Sequence, residues 1–266
     1  MPDVAVLRQD QKGLFWKALL LPAALILLWA ALDLAGFVNR QLFVAPGQVV
    51  VALFEGFSDG SLPGATLATL FRALAGWAIG VTFGLVAGVL LGFSGIARGL
   101  FDPTVTSLRQ IALFAWIPLL SAWLGNGEAM KITLIALGAF FPMALGAQAG
   151  CVNVPLAWRE VGTVLELSRL KQLKVIILPA ALPSILAGLE LSLNVAWLGT
   201  FGAEYLIGTG YINGMGDGLG AYLAAAREYA QMDRVLLGIL FLGIIGVSLD
   251  RLVIGMSRRA VSWQKH

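Results

Sequence analysis

Six long apolar stretches, residues 14–35, 73–93, 104–124, 131–150, 183–207 and 235–255, leave this chain little choice of solvent. Each is near the ~20 residues that a helix needs to cross the hydrocarbon core of a bilayer. Within that core every backbone N–H and C=O must find a partner without water, so the stretches are predicted as helices. Composition agrees: 59% of the 266 residues are hydrophobic and only 12% are charged, where a soluble domain carries about a quarter charged residues. The expected fold class is an all-α polytopic membrane protein with about six transmembrane helices.

Charge sets the orientation. With the N-terminus inside, the inner segments carry Arg8, Lys12, Lys17, Arg98, Arg109, Arg159, Arg169, Lys171, Lys174, Arg251, Arg258, Arg259 and Lys265. The outer ones carry Arg40, Arg72, Lys131, Arg227 and Arg234. This bias follows the positive-inside rule and puts both termini in the cytosol. The basic start before residues 18–31 also fits a signal peptide, but no small-residue cleavage site follows, so an uncleaved first span is expected. The organisation is a cytosolic N-terminal segment (1–13), one transmembrane domain (14–256) and a cytosolic tail (257–266). Outside, residues 39–62 include a partly apolar stretch, 49–57, suited to the outer surface. The net charge of +3 lies between and after the spans and calls for no nucleic acid.

Signs of catalysis are missing. Cys151 is the single cysteine and His266 the single histidine, so no metal set is expected. No Gly-x-x-x-x-Gly-Lys-Ser/Thr loop and no nucleophile–base pair is visible, so neither a catalytic residue nor a bound cofactor is expected. The glycine-rich run Gly208, Gly210, Gly214, Gly216, Gly218 and Gly220 follows a span rather than a strand. It reads as a flexible outer loop that contacts a partner or relaxes between spans, not as a phosphate cradle.

Three patterns carry information about use. In the second stretch Gly76, Gly80, Gly84, Gly88 and Gly92 recur every four residues, a face on which another helix can come close. That helix belongs either to this chain or to a second copy. Between the fourth and fifth stretches, residues 157–170 read as an amphipathic helix at the cytosolic boundary, with Trp158, Val161, Val164, Leu165 and Ser168 on one face. Arg169, Lys171 and Lys174 follow, and Pro179 and Pro183 limit helix continuation on the way back into the membrane. Such a helix with a fixed exit suits a lever, or an ordinary surface helix. In the fifth stretch Glu190, Asn194 and Trp197 share one helical face, as do Trp197, Thr200 and Glu204. Intramembrane carboxylates face a wet cavity or a partner, so this face either lines a path or pairs within the bundle. Glu204, near the outer end, is also placed to be solvated. Trp116 lies deeper than an interface anchor and fits a gate or path contact, while Pro118 marks a plausible kink. Glu128 and Lys131 are placed to pair with each other or to meet an outside partner. Asp250-Arg251 reads as a boundary pair.

The segment Glu160-Val161-Gly162, then Glu166, then Ile176-Ile177-Leu178-Pro179 resembles the docking loop of ATP-binding-cassette (ABC) importer permeases. The resemblance is to the nitrate, sulfonate and taurine branch and runs from about Pro46 to Asp250. It is carried by Leu67 to Trp77 with Arg72 and Gly76, Asp102-Pro103 with Leu108-Arg109, and Ala115-Trp116-Ile117-Pro118-Leu119. It continues with Trp123 to Glu128 with Lys131, Phe141-Pro142, Leu178 to Pro183, Gly188-Leu189, Ala196-Trp197, Ala203-Glu204 and Gly218-Leu219-Gly220.

What the resemblance implies is a type I ABC importer permease fold with a cytosolic coupling helix, in a bacterial inner membrane. Segment 157–179 would be the coupling segment, with Glu160, Gly162, Glu166, Ser168, Arg169, Leu178 and Pro179 the ATPase-coupling residues. Two ABC ATPase subunits would consume ATP and Mg, an extracytoplasmic binding protein would deliver the solute, and a second permease copy would complete the path. A sulfonate-, taurine-, nitrate- or bicarbonate-like anion is the implied cargo. Trp116, Glu190, Asn194, Trp197, Thr200 and Glu204 are the path candidates. The chain departs from the family pattern at Glu166, where glycine is usual, at Gly162, where alanine is usual, at Ala112, often proline, and at Glu190, frequently basic. Glu166 implies either a longer helix in place of a turn or a basic partner on the ATPase. The alternative function is a stand-alone secondary transporter driven by an ion gradient, with Glu190 and Asp250 in a relay.

Overall fold

A computed structural model describes residues 20–21, 24–25, 27–31, 44–207 and 217–260. Both termini and most of the first expected span, 14–35, lie outside the described residues. Those of 20–31 that are described are helical, and the Trp29 indole N–H donates to the Val44 carbonyl at 3.0 Å. From there the helices run as α1 (Pro46–Ser58), α2 (Ser61–Phe93) and α3 (Gly95–Arg109). A 3₁₀ turn (Leu113–Trp116) leads to α4 (Ile117–Leu124), α5 (Glu128–Val152) and α6 (Leu156–Val164). The chain closes with α7 (Arg169–Ile207), α8 (Leu219–Glu228) and α9 (Met232–Ala260). No strand occurs among the described residues.

Four of these, α2, α5, α7 and α9, are each long and apolar enough to span a membrane. The third expected span, 104–124, is not one helix. The structure breaks it into α3 and the Leu113–Leu124 segment, bent by 98°. Pro118 is not the kink: it sits in the first turn of α4, where its missing N–H would be unpaired anyway. The bend falls at Gln110–Ala112, where Ala112 takes φ −57° and ψ 134°, the backbone a proline would hold. What seats the bend is a set of glycine notches. Leu113 packs where a Cβ on Gly138 or Gly199 would stand, and the Phe114 ring covers Gly202.

The glycine stripe belongs inside the chain. A Cβ on Gly76 would lie 2.6 Å from the Ile135 Cβ, one on Gly84 2.6 Å from the Phe140 carbonyl oxygen, and one on Gly92 2.5 Å from the Cys151 Cβ. These separations are shorter than van der Waals contact, so only glycine lets α2 sit this close to α5. On its other side α5 meets α7 the same way, Gly146 against Gly188 and Gly150 against Ala181. Close backbone approach is how helices gain packing where lipid offers no hydrophobic drive. The Trp77 indole N–H adds a hydrogen bond from α2 to Ser192 Oγ of α7, at 2.9 Å.

The two prolines do not interrupt the return into the membrane, contrary to expectation. α7 runs continuously over 39 residues: before Pro179 one turn, Leu173–Ile177, is wound as a π-helix in which the Leu178 N–H reaches the Leu173 carbonyl, and Pro183 is carried within the α-helix that follows. The wider turn just before Pro179 relieves the clash that a proline ring makes with the carbonyl four residues earlier. Basic residues gather where α2 and α5 end and α7 begins, and two of them cap helix ends. Arg98 donates to the Leu91 and Gly92 carbonyls of α2 at 3.0 and 2.8 Å. Arg159 donates to the Cys151 and Val152 carbonyls of α5. Cations at C-terminal carbonyls complement both the orphan acceptors and the helix dipole.

Candidate functional site

At this basic end α6 forms a short crossbar between α5 and α7. It starts after Pro155 and stops at Glu166, which takes φ +50°. The Leu167 N–H donates to the Gly162 carbonyl at 3.0 Å and the Glu166 N–H to the Thr163 carbonyl at 3.0 Å. That pair of bonds is a Schellman closure, which demands a left-handed residue. The turn that glycine usually makes is therefore kept with glutamate in it, and the longer helix expected here does not form. Gly162 is buried because Gln172 and Ile176 of α7 occupy the space its Cβ would need, and the Gln172 amide donates to the Arg159 carbonyl at 2.8 Å. With Arg159 holding the end of α5, the crossbar is tied to both neighbours.

The outward side of α6 is bare and apolar. Leu156, Trp158, Val161, Val164 and Leu165 are all exposed, Val164 to 81%. Glu160, Glu166, Ser168 and Arg169 are exposed around them. Of the expected coupling residues, Glu160, Gly162, Glu166, Ser168 and Arg169 come together at α6 and the start of α7. Leu178 and Pro179 stand nine and ten residues further along α7 than Arg169, about 14 Å at 1.5 Å per residue.

At the opposite end the sequence reading missed a buried ionic network. Arg72 of α2 makes a bidentate pair with Glu128 of α5, at 2.6 and 2.7 Å, and donates to Glu204 of α7 at 2.8 Å. Glu204 is fully buried, not solvated. Its carboxylate also accepts from Thr69 Oγ1 at 2.8 Å and from the Gly220 N–H at 3.0 Å. Thr69 Oγ1 in turn accepts from the Leu219 N–H at 2.8 Å. Lys131 Nζ lies 3.9 Å from Glu128. Arg72, counted with the outer segments from sequence, is itself buried. Gly218 and Gly220 have no side chain because the Glu204 side chain occupies that space; of the glycine-rich run, residues 208–216 lie outside the described residues. One signal could have revealed the network: a carboxylate and an arginine at the same depth of two apolar stretches call for each other.

Between the two ends, under the bend, is a cavity of about 420 Å³. Arg109, Gln110, Leu113 and Trp116 line it from the broken helix, Phe141 and Pro142 from α5, and Leu191 and Val195 from α7. Of the path candidates Trp116 is in this wall. Asn194 is exposed and Glu190 half-buried on the uncovered side of α7, next in sequence to wall residues Val195 and Leu191. Trp197 packs against Gly246 of α9. Thr200 is buried and donates to the Ala196 carbonyl at 2.8 Å, and Glu204 belongs to the ionic network. No ion pair joins Glu190 to Asp250, or Asp250 to Arg251, among the described residues.

Several apolar spans, an exposed apolar crossbar at one face and a cavity under a broken helix fit the membrane component of a transporter. Residues 80–261 match the binding-protein-dependent transport system inner membrane component, and the chain belongs to that family. It is 36% identical over 248 residues to SsuC of Bacillus subtilis (strain 168), a permease protein named for aliphatic sulfonate transport, covering 93% of this chain and 87% of that one. It is 32% identical to the taurine transport system permease protein TauC of Escherichia coli (strain K12), over 91% of this chain and 87% of that one. It is 31% identical to the nitrate import permease protein NrtB of Synechocystis sp., over 75% and 70%. The protein is thus a multi-pass inner-membrane permease subunit of an ABC importer, with the type I fold. Membership brings an ATPase and a binding protein as partners.

Proposed function

We propose that two copies of this chain enclose a path for a small anion, delivered by a binding protein and driven by two ATPase subunits. The chain holds no cofactor of its own; ATP and Mg are consumed by the partner. The carrying observation is the bare apolar face of α6, Trp158, Val161, Val164 and Leu165, on a crossbar tied to both α5 and α7. Exposed apolar residues with a charged rim fit a cleft on a protein. In this reading Glu160, Glu166, Ser168 and Arg169 form that rim, Gly162 fixes the crossbar to α7, and Leu178 and Pro179 carry its movement onward. Closure of the ATPases moves α6, and α7 follows through Gln172 and the π turn. Both termini lie in the cytosol, on the same side as α6.

The permease then supplies two conformations of differing stability and no covalent chemistry. The uncovered side of α7 with Glu190 and Asn194, and the cavity wall with Trp116, form one half of the path. An anionic cargo is supported by relatives named for aliphatic sulfonate, taurine and nitrate transport. The test is Glu160→Lys in the complete importer reconstituted in liposomes. Weaker ATPase co-purification and slower uptake, with membrane insertion intact, are expected. Normal coupled uptake in that variant would remove α6 from the coupling role.

A further inference from the structure

We infer that Arg109, with Gln110 and the Trp116 indole, forms the seat for the transported anion inside the cavity; this rests on the anion-importer reading above. Arg109 reaches the cavity only because the helix breaks immediately after it, at Gln110–Ala112. The facing wall comes from Gly138, Phe141 and Pro142, in the middle third of α5, so Arg109 lies level with the middle of that span while staying exposed on the open side of the cavity. An ionisable group at that depth needs a partner or a wet cavity.

Three residues of the described lining carry donor side chains, Arg109, Gln110 and Trp116. None has a hydrogen-bond or ion-pair partner among the described residues. Among the described residues the cavity lining contains no carboxylate. The more covered arginines have partners, Arg72 in two carboxylates and half-buried Arg98 and Arg159 in helix-end carbonyls, whereas Arg109 is exposed to the cavity side. Arg109 is in the last turn of α3 and could have capped its carbonyls in the same way, yet it makes no such bond. The remaining wall is apolar, Ile111, Leu113, Phe141, Leu145, Leu191 and Val195, which strengthens any charge interaction within it.

A guanidinium offers a planar fork of donors matched to the oxygens of a sulfonate, nitrate or carboxylate. Gln110 and Trp116 add neutral donors, which hold an anion without over-binding it. Glu190 is one residue from Leu191 but outside the cavity lining, so it sits beside the seat and not in it. On the uncovered side of α7 its charge would repel an anion that strays there, favouring the seat.

The experiment uses the full chain in the assembled importer with Ala112→Cys as a reporter thiol, Cys151 being buried. Modification rates are measured with an anionic (sulfonatoethyl) and a cationic (trimethylammonium-ethyl) methanethiosulfonate reagent, each relative to a free thiol. The anionic-to-cationic ratio should fall at least about tenfold on Arg109→Gln and be largely retained by Arg109→Lys. Ethanesulfonate and nitrate, used as probe anions, should slow modification with Arg109 present and not in Arg109→Gln. An unchanged ratio, or absence of protection by either anion, overturns the seat. ATPase co-purification and ATP hydrolysis stimulated by the binding protein are read on the unsubstituted importer in parallel. Their absence from the unsubstituted importer would sink the importer reading instead, whatever the thiol reports.

Discussion

The two ends of this permease solve opposite problems. At one end Arg72, Glu128, Glu204, Thr69 and the first N–H groups of α8 satisfy one another in a buried network that ties α2, α5, α7 and α8. At the basic end α6 is held by backbone carbonyls and one amide, and its apolar side chains are left outside. The first end satisfies its own charges; the second leaves an apolar face that, in the proposed reading, the ATPase covers. A charge that is buried and paired fixes geometry at the risk of a large penalty if either member is lost. An exposed apolar face costs little stability to change and governs association instead.

Substitutions can break that contrast or sharpen it. Glu204→Ala leaves the buried Arg72 with one carboxylate and the Thr69 hydroxyl without its acceptor. A loss of about 3–5 kcal/mol is expected, read as a lower thermal unfolding midpoint in detergent; an unchanged midpoint would mean the network contributes nothing. Trp158→Ala should leave that midpoint alone, within ~0.5 kcal/mol as for other surface changes, while weakening ATPase binding by about 2 kcal/mol. A titration of ATPase onto permease in nanodiscs reads this, and equal affinity would make the two ends alike. Glu166→Gly removes a side chain from a left-handed position and should stabilise the α6 closure by roughly 1 kcal/mol. Slower amide exchange at Leu167, with coupling retained, is the expected result; lost coupling would give the Glu166 carboxylate a contact on the partner.

Parts of this architecture were open to a reader of the sequence. The glycine stripe announces a close neighbour because four-residue spacing keeps one face bare, although spacing alone does not say whether that neighbour is α5 or a second chain. The α6 crossbar is legible because amphipathic spacing and the family pattern coincide between residues 157 and 179. The broken third span was hidden: hydropathy runs on through residues 104–124, and Ala112 gives no sign of the conformation it adopts. The structural cause is long-range, since the notches that hold Leu113 and Phe114 come from Gly138, Gly199 and Gly202. For Glu204 the sequence left path, pairing and solvation open for the same reason, its partner Arg72 lying 132 residues earlier. The short helix α8 hid behind glycines that serve contact with Glu204. The prolines at 179 and 183 promised an interruption; one π turn accommodates the first, and the second lies inside the helix without ending it.

The seams on either side of α5 constrain how such a subunit can change shape. Along α2 the glycines face backbone carbonyls and Cβ atoms of α5, and along α7 two glycines meet almost backbone to backbone. Sliding one helix past another by a single residue would drive bulkier side chains into those places, with no low-energy register in between. α2, α5 and α7 therefore behave as one indivisible slab. In the proposed coupling, motion entering at α6 would reorient the whole slab, the shear that many helical proteins use to change state being closed to it.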